Sequence, residues 1–143
     1  MIKKVINSML LVSLSWGLLS CQSNKQITLE VKATAYNSLA SQTHRNHPSI
    51  TAWGDTLKPG MKAIAVSRDL IEMGLTHGTE VKIEGLPGKY IVLDKMNKRW
   101  KRKIDIYMGN DLTKAREWGI RTVKISFVSD TDVPAQQNPG KGD

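Results

Sequence analysis

Asp94 and Asp105 stand eleven residues apart. Asp94 closes the apolar run Tyr90-Ile91-Val92-Leu93, and Asp105 sits in the middle of Lys103-Ile104-Asp105-Ile106-Tyr107. Alternate side chains of an extended chain share a face. Asp105 therefore shares one with Lys103 and Tyr107, leaving the other to Ile104, Ile106 and Met108. Such an acid either faces a groove or is a plain surface carboxylate paired with a lysine. In a groove its chemistry would be proton transfer. Glycoside cleavage ordinarily uses two carboxyls, one as acid and one as base or nucleophile. One suffices where a hydroxyl of the substrate attacks, because the same group protonates the leaving oxygen and accepts the attacking proton. Asp94 alongside would raise the pKa of Asp105 by like-charge repulsion, as an acid requires.

Residues 95–103, between the two acids, hold six cations and Trp100. Cations close to the carboxyls act the other way and hold them ionised. The segment is either a solvated hairpin or a surface for an anionic glycan, peptide carboxylate or teichoic-type polymer, with Trp100 stacking on a sugar face. Basic and aromatic residues together also suit single-stranded nucleic acid, but the N-terminus argues against that partner. Trp53 is a groove or core residue, Asp55 a turn residue, and Trp118 a core residue. His44 and His47 flank Arg45-Asn46 without a Cys or third His nearby. A solvated loop is expected there, and no metal or cofactor.

The N-terminus is an address. Lys3 and Lys4 precede a short apolar run, too short to span a bilayer comfortably and arranged as in a signal peptide. Leu18-Leu19-Ser20-Cys21 then resembles a bacterial lipobox, and Cys21 is the sole cysteine. Residues 1–20 are expected to be removed and Cys21 acylated, giving a lipid anchor in the membrane. Gln22, rather than Asp, follows the Cys, which favours the outer membrane. The single Cys excludes a disulfide scaffold or a multi-Cys zinc site. The chain carries 21 Lys and Arg against 13 Asp and Glu, a formal charge of +8, so anionic envelope partners are expected.

Residues 21–26 read as lipidated Cys and polar tether, and 130–143 as a disordered tail. Between them, 27–129 suffices for one small monomeric domain. Alternation or short apolar runs predict strands at 27–33, 63–66, 81–84, 89–93, 103–107 and 122–127. Two short helices, at 68–73 and 111–118, end at Gly74 and Gly119. Six short strands suggest a small closed β-barrel, since closure removes exposed edges.

Several pieces recur in a set order: Thr34-Ala35-Tyr36, then Thr51-Ala52-Trp53-Gly54-Asp55, Ile64-Ala65-Val66-Ser67, Tyr90 to Asp94, Ile104-Asp105-Ile106-Tyr107 and Trp118-Gly119. Together they resemble the 3D (three-aspartate) domain, similar to the catalytic part of membrane-bound lytic transglycosylase A. The resemblance covers about residues 31–128. It implies a mainly β fold, a six-stranded double-psi β-barrel with two short helices, whose groove binds peptidoglycan glycan strands. It also implies cleavage between N-acetylmuramic acid and N-acetylglucosamine with a 1,6-anhydro product.

In that frame Asp105 matches the catalytic aspartate and Asp94 the second. Thr51 and Gly54 match the groove-lining motif, with Trp53 and Trp100 as further sugar contacts. Two departures stand out. Ser67-Arg68 replaces the family's Asp-Pro, and Asp94-Lys95-Met96-Asn97 replaces its Asp-Thr-Gly-Gly. The expectation is an envelope lipoprotein acting as a lytic transglycosylase. The alternative is a non-catalytic wall-binding barrel similar to expansins; the missing first aspartate and the cationic segment favour it, and the Asp94–Asp105 spacing favours the enzyme.

Overall fold

A computed structural model describes residues 25–38 and 49–129. The expected leader, Cys21, His44, His47 and the tail lie outside the described residues. The elements run β1 (Lys25–Tyr36), β2 (Ala63–Val66), α1 (Arg68–Glu72), β3 (Glu80–Ile83), β4 (Lys89–Lys95), β5 (Lys103–Tyr107), α2 (Leu112–Trp118) and β6 (Arg121–Ser129). Among the described residues no helix is long and apolar enough to cross a membrane.

The strands close in the order β1-β5-β2-β4-β3-β6. The pairs β1–β5 and β2–β4 are parallel and the other four antiparallel. Two parallel pairs interlocked in one closed sheet make the expected double-psi barrel. β1 begins at Lys25, inside the segment expected as tether, because Lys25 and Gln26 pair with Ser129 and Val128 of β6.

Period two fills the barrel. Val31 and Ala33 of β1, Val81 and Ile83 of β3, and Ile104 and Ile106 of β5 all point into one apolar core. Ile64, Val66, Val92 and Ile125 are wholly buried in it. Each such side chain contributes about 1.5–3 kcal/mol relative to exposure. Helix α2 packs on β1. It starts at Asp111, whose carboxylate accepts the Lys114 N–H at 2.9 Å, satisfying a first-turn donor. It buries Ala115 and Trp118 and stops at Gly119 (φ 62°).

β2 lies between β4 and β5, and all four of its residues are buried. Ile64 and Val66 face the core, while Ala63 joins a second small cluster with Leu57 and Tyr107. Ala65 is therefore on the outer side, between the two strands that carry Asp94 and Asp105.

Candidate functional site

Ala65 pairs with Asp105 on one flank and with Asp94 on the other. Residues in register on adjacent strands point to the same face, so both carboxyls emerge from the barrel wall over one small side chain. For Asp105 this follows from simple alternation between buried Ile104 and Ile106. For Asp94 it does not. Val92 is wholly buried, and strict alternation would send Asp94 into the core beside it. The register slips between Ile64 and Ala65, so that Ile64 meets Val92 but Ala65 meets Asp94. This irregularity re-aims Asp94 outward, as bulges beside functional sites do.

Each carboxylate is held. Thr34, in register with Asp105 on β1, donates its hydroxyl to Asp105 Oδ1 at 2.9 Å. Asp94 Oδ1 accepts two backbone N–H groups, from Ala52 and from Lys95, both at 2.8 Å. The Ala52 donor belongs to a tight turn. Thr51 Oγ1 accepts the Asp55 N–H at 3.0 Å, and the Gly54 N–H bonds back to the Thr51 carbonyl at 3.0 Å. Gly54 takes φ 92° there, a region costly for residues with a Cβ. Thr51 is buried and serves this turn, so it and Gly54 act on the site by presenting Ala52 to Asp94.

Both carboxyls have pKa values above the ordinary aspartate value. Burial is the largest cause for each. Against it, hydrogen bonds from Ala52 and Lys95 lower Asp94, and the Thr34 hydroxyl and Lys103 lower Asp105. Asp94 also raises Asp105, as its weakest influence. Neither the like-charge nor the cationic effect expected from the sequence therefore dominates; desolvation does.

Tyr36 completes the centre. Its pKa is raised far above the ordinary phenol value, first by burial and then by Asp94 and Asp105. The hydroxyl thus stays protonated between two acids. It is buried without a hydrogen-bond partner among the described residues. A donor left unsatisfied costs about 1–3 kcal/mol. In the sequence Tyr36 stands only within the recurring piece Thr34-Ala35-Tyr36, with nothing in its spacing to give it a role.

The two tryptophans are separated. Trp53 rides on the 51–55 turn at the Asp94 end, with the Lys95 ammonium 5.5 Å from its ring centroid. His77 meets its edge at 5.2 Å and bonds Asp55 Oδ2 through Nε2 at 2.7 Å. His77 has no partner spacing in the sequence and was invisible there. Trp100 lies at the other end, over Lys103, whose ammonium is 3.6 Å from the ring centroid. Each acid thus has a lysine at its side that also lies over a tryptophan.

Ser67, where the family has its first aspartate, is wholly buried. Its hydroxyl accepts the Lys103 N–H at 3.0 Å, and its own N–H bonds the Lys103 carbonyl at 2.9 Å. It clamps the start of β5. Asp69, two residues on, accepts the Arg102 N–H at 2.9 Å. Neither is placed as a third carboxyl of the centre. Among the described residues no group of three His, Cys, Asp or Glu side chains is placed to hold a metal ion.

No family model matches this chain, and no curated protein matches it by sequence. Among solved structures it is similar to the apo expansin of Clavibacter michiganensis, at 18% identity and a TM-score of 0.48. It is also similar to a point mutant of that expansin in complex with cellohexaose, at 19% identity and a TM-score of 0.47. Each match covers 76% of this chain and 54% of the other, so the chain spans about half the length of those expansins.

Proposed function

We propose that this chain is a cell-wall glycan-binding barrel that seats a peptidoglycan strand across Asp94 and Asp105. The observation that carries it is the convergence of two held carboxyls on one outer face of the barrel, either side of Ala65. Sugar hydroxyls donate to carboxylates. Trp53 offers an aromatic face beside them. The wall as target rests on the export signal and the 3D-type order of motifs. Acylation at Cys21 and residence in the outer membrane belong to the same proposal; Cys21→Ser should release the chain to the soluble fraction.

A second reading, lytic transglycosylation, is favoured by the placing of Asp105 on the outer face under the Thr34 hydroxyl, with burial pushing its carboxyl upward. A carboxyl protonated nearer neutrality can give its proton to the leaving glycosidic oxygen as the bond to the muramyl C1 breaks. The resulting carboxylate then takes the proton of the muramyl 6-hydroxyl as that oxygen closes on C1. No water enters, and the carboxyl is regenerated. Thr34 holds the acid, and Asp94 holds the sugar.

Sedimentation of the full chain with purified peptidoglycan, followed by mass spectrometry of released products, tests both. Wall binding without products establishes the binding module. Anhydromuropeptides that disappear with Asp105→Asn establish cleavage. Failure to bind peptidoglycan overturns both readings.

A further inference from the structure

Residues 95–103 link β4 to β5, and so start beside Asp94 and end two residues before Asp105. Residues 97–102 are exposed, as a solvated segment would be, but their backbone is held. The Trp100 N–H bonds the Asn97 carbonyl at 3.1 Å, and the Arg99 N–H bonds the Asn97 side chain at 3.1 Å. Lys32 on β1 donates its N–H to the Arg102 carbonyl at 2.9 Å. Arg102 has φ 46°, alone with a positive φ among the described non-glycine residues, and Asp69 pins its N–H. A strained residue persists only where its surroundings hold it.

The segment is no hairpin but a crossover past β2, which lies between β4 and β5, and it presents unneutralised charge. Among the described residues the ion pairs involve His77, Lys89 and Lys114, and none involves Lys95, Lys98, Arg99, Lys101, Arg102 or Lys103. Trp100 is flanked by Arg99, 5.0 Å from its centroid, and Lys103. Lys32, Lys101, Arg102, Lys103 and Trp100 line a pocket of about 310 Å³ together with one acid, Glu30, outnumbered by the four cations. The patch is continuous with the carboxyl centre, because Lys103 acts on Asp105 as well as lying over Trp100.

We infer that the 95–103 crossover is an anion subsite, which makes the barrel select glycan strands bearing carboxylates over neutral strands of the same β-1,4 linkage. The inference rests on the proposed glycan groove and names the class of strand it takes. With an acidic strand the cations give charge-assisted hydrogen bonds to groups projecting beside the backbone. A backbone held before binding lowers the entropy lost on docking.

The test measures affinity of the full chain for peptidoglycan strands with peptide stems, for stem-free strands that keep the muramyl carboxylate, and for chitohexaose. The variant pairs Lys98→Glu with Lys101→Glu, two exposed lysines of the segment. Carboxylate-bearing strands should bind at least about tenfold more tightly than chitohexaose at low salt. The double variant should erase that preference and leave chitohexaose binding unchanged. Comparing the first two strands tells whether stem or muramyl carboxylates are read. Equal affinity of the wild type for charged and neutral strands overturns the subsite while the groove stands. A variant that keeps the preference overturns it too. Loss confined to phosphatidylglycerol vesicles overturns the glycan subsite and reassigns the 95–103 crossover to a membrane surface. Absence of all glycan binding overturns the groove itself.

Discussion

Ala52 donates its backbone N–H to Asp94 across 42 positions of sequence. The bond ties a solvent-facing turn to a barrel carboxylate, and the turn is itself anchored by Asp55 on His77. The Asp94 end of the centre is thus set by three segments that come together only in the fold. The Asp105 end is set by neighbours on the sheet.

His77→Ala should loosen the turn without unfolding the barrel. Its pairing with Asp55 is exposed, and such pairs are worth about 0–1 kcal/mol. Trp53 loses its edge contact and Ala52 its fixed position. Glycan affinity should fall about threefold to tenfold, with unfolding midpoints nearly unchanged. Isothermal titration beside denaturant unfolding reads both, and an unaltered affinity would remove His77 from the site.

Thr34→Val keeps shape and deletes the hydroxyl that bonds the Asp105 carboxylate. That bond favours the charged form, so the pKa of Asp105 should rise further. Carboxyl-carbon NMR titration of the full chain measures it directly. A downward or absent shift contradicts the geometry given for this pair.

Asp105→Asn should stabilise the protein at neutral pH. Burial lifts the folded pKa above the ordinary aspartate value of 3.8, so the native state binds more protons than the unfolded chain between those two values. Stability contributed by this position is therefore greatest below about 3.8 and is lost as pH rises through the folded pKa. The variant escapes that loss. Thermal melts from pH 3 to 8 should diverge upward for the variant as pH rises and meet the wild type at the acid end.

Ser67→Ala strands the Lys103 N–H inside the barrel wall. A buried donor without a partner costs about 1–3 kcal/mol. The loss should appear in urea unfolding. Because Ser67 is structural here, binding to chitohexaose should persist in the folded fraction.

Ile104→Ala tests the barrel itself. The side chain is wholly buried between the faces of β5, and truncations of this kind cost about 2–5 kcal/mol. A loss below 1 kcal/mol in urea unfolding would mean that Ile104 does not fill the core as described.

Much of this architecture was written locally. Alternation in 27–33, 103–107 and 122–127 is a two-residue property of the chain, and it found β1, β5 and β6 because each has one face on the core. Asp111 and Gly119 bounded α2 by capping chemistry that acts within one turn. Alternation also placed Asp105 opposite Ile104 and Ile106. The joint placement of the acids was a matter of register. Asp94 lies on the Asp105 side of the wall only because β4 slips against β2 beside Ala65, and a slip between strands leaves no mark in either strand's own pattern. Distance in sequence likewise hid Tyr36 and His77, which reach the centre through barrel closure and a docked turn. The cations of 95–103 were plain to read, but their rigidity was not. It comes from Ser67, Asp69 and Lys32 on neighbouring elements. Local pattern determined the strands and one acid's face; only tertiary pairing, which couples residues far apart in the chain, decided that two acids share one outer face, with a buried phenol near them and a basic crossover alongside.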